Sequence, residues 1–285
     1  MMHRKNFKVL FCGALAAASL ALNFTFAEEN GTAWRQNWTL NGFKSPESAA
    51  FSTERRAIFV SNVNGYEKNG AGFISRLSMD GVVEDLVWLE GLNAPTGLAV
   101  SGDILWAVDY DRLLSIHIPS RLILFAYESD DRSPLLNDVA LDDDGSVFVT
   151  GSGSNSIYKL EKGRLKTWLK NDEALQYANG IDVTPDHLIV AGVTLMRIGR
   201  SDKQIEIISD DKALHDLEGV KSDGAGGFYV SAVGDRPLYH VDAGGNVTEE
   251  LRGREFIADF DIADEMLAAP VSAGAVSGFQ RSKNP

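Results

Sequence analysis

The chain has 285 residues, a formal net charge of −13, 44% hydrophobic residues and one cysteine. That length is ample for a full core, in one all-β domain or in two average domains. So acidic a chain repels nucleic acid and anionic membrane surfaces, which excludes both as partners.

The first segment reads as a targeting signal over residues 1–27. His3, Arg4, Lys5 and Lys8 form a basic start, Val9–Leu22 is apolar, and Thr25-Phe-Ala27 offers the small residues a signal peptidase reads. The apolar stretch falls short of the roughly 20 residues that span a membrane. The mature chain, 28–285, is therefore expected to have no membrane span and to be periplasmic or secreted. Cys12 follows Phe11 and does not suit lipid attachment, which prefers a small residue before the cysteine. Loss of Arg4, Lys5 and Lys8 with the leader takes the net charge from −13 to −16 and leaves no cysteine. Core burial and closure of the fold must then supply the stability that disulfides give many exported proteins.

Past the leader, short apolar runs alternate with turn clusters such as Asp80-Gly81, Asp142–Gly145, Ser222–Gly227 and Ala243–Asn246. No long window favours a 3.6-residue period, so helices should be few. Six times, at spacings of 39 to 49 residues, a polar residue precedes an apolar strand: Glu47, Thr96, Asn137, Asn179, Glu218 and Asp259. An all-strand repeat of about 40 residues predicts a six-bladed β-propeller, one four-stranded blade per repeat. In the third repeat Val139–Leu141 is the inner strand, followed by Val147–Thr150, Ser156–Leu160 and an outer strand at Arg164–Leu169. The sixth repeat ends after three strands, Asp259–Ala263, Met266–Val271 and Ala275–Gln280. The unassigned strand Ala33–Leu40 is predicted to complete it, closing the ring and removing unpaired edges. No linker-like tract divides 28–285, which reads as a single domain.

In such a ring the six polar residues converge on the axis. Three are carboxylates and two are amides, hard oxygen donors that favour Ca²⁺, with Mg²⁺ and Zn²⁺ as alternatives. Thr96 is short and uncharged and reads as channel lining.

Three segments carry a family resemblance: Leu136-Asn-Asp-Val-Ala-Leu-Asp-Asp-Asp-Gly145, Ala178-Asn-Gly-Ile-Asp-Val-Thr-Pro-Asp186 and Leu217-Glu-Gly-Val220. They resemble the senescence marker protein/gluconolactonase/luciferin-regenerating-enzyme-like family, six-bladed propellers related to strictosidine synthase-like and paraoxonase-like proteins. The resemblance covers about residues 40 to 280 and implies one divalent cation in the channel and lactone hydrolysis. It makes Glu47, Asn179 and Glu218 metal ligands and places Asn137 near metal and substrate. Three positions depart from the family pattern. Glu47-Ser-Ala-Ala-Phe51 replaces a Glu-Gly-Pro-aromatic segment, Leu135 stands where sugar-lactone members often carry arginine, and Glu218 replaces an aspartate. These departures weigh against a sugar lactone more than against the metal.

The expectation is an exported, divalent-cation-dependent hydrolase of lactones or related small esters, taking a small-molecule substrate. Glu218 is the candidate general base. Asn137, His215 and Asp259 are the candidate substrate-binding residues. His117, His187 and His240 lack a partner pattern, and no serine has a nucleophile-elbow context. The alternative is a non-enzymatic propeller that binds a ligand or protein, with a structural cation or none.

Overall fold

The computed structural model describes residues 34–131, 135–209, 211–233, 238–251 and 256–282. Residues 1–27, which the sequence reads as a targeting signal, lie outside them. Among the described residues there are 24 strands in six four-stranded sheets and no helix, so no helix is long and apolar enough to cross a membrane.

Strand β1 (Trp34–Asn41) comes first. The first blade is β2 (Pro46–Ser52), β3 (Ala57–Asn62), β4 (Gly72–Ser78) and β5 (Val83–Leu92). The second is β6 (Pro95–Ser101), β7 (Ile104–Asp109), β8 (Arg112–His117) and β9 (Leu122–Glu128). The third is β10 (Leu136–Leu141), β11 (Val147–Gly151), β12 (Ser156–Glu161) and β13 (Arg164–Lys170). The fourth is β14 (Ile181–Val183), β15 (His187–Ala191), β16 (Leu195–Gly199) and β17 (Ile205–Ile207). The fifth is β18 (Leu217–Ser222), β19 (Phe228–Ala232), β20 (Leu238–Val241) and β21 (Val247–Leu251). The sixth is β22 (Asp261–Ala263), β23 (Met266–Ser272) and β24 (Ala275–Arg281), and β1 pairs antiparallel with β24 as its outer strand.

The expected closure by the N-terminal strand is thus present, from Trp34 opposite Arg281 to Asn41 opposite Ala275. Trp38 locks it. A Cβ on Gly278 would fall 2.1 Å from the Trp38 ring and one on Gly81 would fall 2.4 Å away, so both positions need glycine. Meander order follows from short turns. At Asp142–Gly145, for example, Gly145 has φ +82 and donates to Asp142 O at 2.9 Å.

The apolar core is divided into six clusters, one at each seam between neighbouring blades. Strand alternation produces this, because both faces of a blade are covered by its neighbours. The tryptophans serve this packing: Trp34 and Trp88 are buried, and Trp38, Trp106 and Trp168 pack against the clusters from the side.

Polar contacts also tie all six seams near the axis. Leu98 N donates to Ser48 Oγ and Thr96 Oγ1 to Asn137 O. Ile181 N donates to Asp138 Oδ2, and Gly180 N donates to Glu218 O at 2.7 Å. Ser231 Oγ donates to Ala258 O, and Asp259 N donates to Glu47 O at 3.1 Å. The inner strands therefore form one hydrogen-bonded circle.

Candidate active site at the head of the channel

The six predicted axial residues do not all enter the ring in the same way. Glu47, Thr96, Asn137 and Glu218 are second in their strands, while Asn179 and Asp259 precede theirs by two residues. The short fourth and sixth inner strands start later than the sequence pattern suggested. Pairing with the second strand slips between Pro46 and Ala49, Pro95 and Leu98, Leu136 and Val139, and Leu217 and Val220. A bulge adds a residue and re-aims side chains. Here it falls on the polar head residue and its successor in four blades. In three of them a hydroxyl fills the gap: Ser61 Oγ accepts from Ser48 N, Thr150 Oγ1 from Asp138 N and Ser231 Oγ from Gly219 N.

A second device separates four head residues from the other two. The residue two positions before Glu47, Asn137, Asn179 and Glu218 has a left-handed backbone: Ser45 at φ +47, Leu135 at +40, Tyr177 at +54 and Asp216 at +52. The equivalents before Thr96 and Asp259, Ala94 and Ile257, are not among the positive-φ residues. A left-handed turn costs a residue with a Cβ roughly 1–2 kcal/mol. Such strain gathers at functional sites. The turns are held by the ends of the second strands: Ser45 O accepts from Val63 N at 3.1 Å, Leu135 O from Ser152 N at 3.0 Å and Asp216 O from Val233 N at 2.8 Å.

Close approach of the inner strands needs small residues after the heads. A Cβ on Gly180 would meet Glu218 O at 2.4 Å, and one on Gly97 would meet Asp138 Oδ1 at 2.4 Å. With glycine there, Asn179 Nδ2 reaches Glu218 Oε2 at 2.8 Å, and Tyr66 OH donates to Glu47 Oε1 at 2.7 Å. Burial raises the Glu218 carboxyl to about 7, helped by the Glu47 charge and then Asp259, while the Asn179 bond acts to lower it. Burial likewise raises Glu47, with Asp259 adding to the rise and the Tyr66 bond opposing it. The structure thus brings Glu47, Asn179 and Glu218 together. Asn137 lies at the adjoining head position, half-buried, with its carbonyl accepting from Thr96. Thr96 is buried and its hydroxyl is spent on that carbonyl, as expected of a lining residue.

The other two candidates sit differently. His215 is half-exposed in the loop entering the fifth blade, its Nδ1 3.0 Å from Asp216 Oδ2. Asp259 is 94% buried by its 6% exposure, and its Oδ2 accepts from Ser48 Oγ at 2.6 Å. It belongs to a deeper layer that the repeat pattern did not reveal. There Lys221 sits among Asp138, Asp182, Asp259 and Asp261. Burial works to lower the Lys221 ammonium, but the four aspartates outweigh it and hold its pKa above the ordinary lysine value. Burial raises Asp138, Asp259 and Asp261, against the pull of Lys221. Lys221 and Asp182 lie three residues past their heads, too far along the strand for a head-residue motif to show them. Below them, at the turn end of the inner strands, a cavity of about 450 Å³ is lined by Lys221, Asp182, Asp223, Asp261, Trp34 and Arg281, among others.

Two close carboxylates, each with a raised pKa, and one amide form an all-oxygen donor set of the kind a hard divalent cation relieves. Glu47, Asn179 and Glu218 could hold such an ion, with Asn179 offering its carbonyl oxygen, since its Nδ2 is bonded to Glu218. Among the described residues no group of three or more His, Cys, Asp or Glu side chains is placed to hold a metal, so the amide is essential to the set.

With this geometry in place, solved structures show what the fold is similar to. A gluconolactonase from Xanthomonas campestris superposes with a TM-score of 0.71 at 14% identity, covering 87% of this chain and 89% of that one. The chain has the fold of the gluconolactonase propellers. A catalytically inactive variant of virginiamycin B lyase from Staphylococcus aureus, solved with quinupristin, superposes with a TM-score of 0.60 at 14% identity over 87% and 99% of the two chains. A streptogramin B lyase gives 0.63 at 11% identity over 87% and 97%. No family model and no curated protein sequence matches the chain.

Proposed function

We propose that the chain is an exported hydrolase of lactones or related small esters that works with a divalent cation, calcium first, at the head of its channel. One observation carries the reading: Glu218 is held by Asn179 at 2.8 Å in buried surroundings shared with the Glu47 charge, which raise its carboxyl in the metal-free site. A general base is most effective when its pKa lies near the working pH. The likeness in fold to a gluconolactonase supports the same reading.

The residues divide the work as follows. Glu218, once ionised, takes the proton from an attacking water. Asn179 holds Glu218 in place through its amide hydrogen. Glu47 raises the base in the metal-free site, a push that a bound cation would offset, and is itself oriented by the Tyr66 hydroxyl. Asn137 offers an amide at the neighbouring blade to the substrate carbonyl. A cation bound between Glu47, Asn179 and Glu218 would polarise that carbonyl and favour the developing negative charge. Asp259 and the aspartates around Lys221 lie behind this set and supply field rather than contact.

The mature protein, stripped of metal and returned to calcium, is expected to release acid from at least one member of a lactone panel followed by pH-stat titration. The proposal fails if no lactone in the panel gives metal-dependent acid release. A second reading is a binding propeller without chemistry, with a structural cation or none. It predicts no turnover, and a melting temperature that answers to calcium only where a structural cation is bound.

A further inference from the structure

We infer that the substrate carries an apolar aliphatic or aryl substituent beside its carbonyl, received by the rim of the channel mouth. This rests on the hydrolase reading above and names its substrate class. Five large apolar side chains stand exposed on loops at the head end: Tyr66 at 62%, Leu135 at 43%, Tyr177 at 66%, Val193 at 37% and Val233 at 44%. Tyr66 is joined directly to the site through its hydroxyl on Glu47. The other four follow one another round the mouth through bonded loops. Leu135 O accepts from Ser152 N, and Ser152 Oγ donates to Ala178 O, next to Tyr177. A Cβ on Gly192 would lie 3.3 Å from Tyr177 O; Val193 O in turn accepts from Asp216 N, and Asp216 O from Val233 N.

Single exposed apolar residues are ordinary, but four of them on successively bonded loops at one mouth, with Tyr66 on the site itself, offer a binding surface. Leu135 and Tyr177 add a second observation. Each occupies a left-handed position two residues before a site amide, where glycine or asparagine would sit with less strain. The turn alone does not call for a bulky side chain. Leucine and tyrosine there hold apolar surface at the entrance to Asn137 and Asn179. Two charged pairs lie on these loops, Lys68 with Asp111 at 2.5 Å and His215 with Asp216 at 3.0 Å. A polyhydroxylated ring would give up water at this rim for few polar partners, whereas an alkyl chain or aryl ring would bury apolar surface on it.

The test uses δ-lactams, cyclic amides that mimic the lactone ring and resist opening, titrated calorimetrically into the calcium-loaded protein. One series carries alkyl chains of increasing length and the other carries hydroxyl groups. Affinity is expected to rise about three- to fourfold per added methylene until the rim is filled. Leu135→Asn and Tyr177→Asn, which suit the left-handed backbone and so preserve the turn, are expected to remove most of that gain. Equal affinity for both series, preference for the hydroxylated series, no binding at all, or a gain that survives both substitutions would overturn the inference. An alkyl preference without turnover of any matching lactone would keep the apolar ligand and discard hydrolysis, so the two failures are separable.

Discussion

Asn179 Nδ2 donates to Glu218 Oε2 at 2.8 Å across the seam between the fourth and fifth blades, joining residues 39 positions apart. The bond fixes one carboxylate oxygen and leaves the other to act. Glu218→Gln keeps the side-chain volume but removes the base. Turnover is expected to fall by about 100-fold or more, with circular dichroism and melting temperature nearly unchanged. Retained activity in the folded variant would exclude Glu218 as the base.

Stability should depend on pH in a defined direction. Glu47, Glu218, Asp138, Asp259 and Asp261 all lie above their ordinary values, burial being the first cause in each. An acid raised in the folded state stabilises it fully below the unfolded pKa and loses that contribution as pH rises through the folded value. For Glu218 the window runs from 4.5 to about 7. Asp144, Asp223 and Asp242 are lowered, so their contributions are lost only under more acidic conditions than this window. Metal-free protein should therefore melt at a higher temperature at pH 5 than at pH 8, by scanning calorimetry. A melting temperature that climbs over that range would contradict the burial of these carboxyls.

Gly180 sets the distance across the same seam. An alanine Cβ would meet the Glu218 backbone oxygen at 2.4 Å and Gly219 Cα at 2.9 Å, neither of which can swing aside. Gly180→Ala is expected to cost about 1–3 kcal/mol of stability. Because a shift near 1 Å at a catalytic group is costly, it should also lower kcat by roughly tenfold or more. Chemical denaturation and steady-state kinetics read the two effects. A variant as stable and active as the parent would show that the seam has slack.

Lys221 balances four aspartates in the layer beneath the site. Lys221→Met would leave Asp138, Asp182, Asp259 and Asp261 without their shared cation. Because Lys221 is half-buried rather than enclosed, the cost falls below the roughly 3–5 kcal/mol of breaking a fully buried pair, and the melting temperature is expected to drop by about 2–4 °C per kcal/mol lost for a chain of this size. The deficit should shrink at pH 5, where the aspartates take up protons more readily. An unchanged melting temperature at pH 7 would mean that the aspartates are neutral without Lys221.

The ring itself was legible in the sequence because each blade repeats its head residue and its turns. The strands expected at Val147–Thr150, Ser156–Leu160 and Arg164–Leu169 form as Val147–Gly151, Ser156–Glu161 and Arg164–Lys170, and the strand expected at Ala33–Leu40 closes the ring as Trp34–Asn41. The sequence singled out Glu47, Asn137, Asn179 and Glu218, and these are the four head residues that follow left-handed turns. The turns themselves were not legible, since Ser45, Leu135, Tyr177 and Asp216 take them without the glycine that signals one. Tyr66 reaches Glu47 from a loop whose path no local pattern dictates. Lys221 and Asp138 belong to a layer built by strand register, and register appears only when the blades are assembled. Asp259 was grouped with the head residues by spacing, but its bond to Ser48 assigns it to that lower layer.

The central claim is that Glu47, Asn179 and Glu218 act together as one cation site in the channel head. Calorimetric titration of calcium into the metal-free mature protein tests it directly, with Glu47→Gln and Glu218→Gln alongside. The account predicts a single binding event in the parent protein, weakened by about 100-fold in each variant, since each loses a buried charge partner worth several kcal/mol. No calcium heat in the parent, or equal affinity in all three proteins, would contradict it.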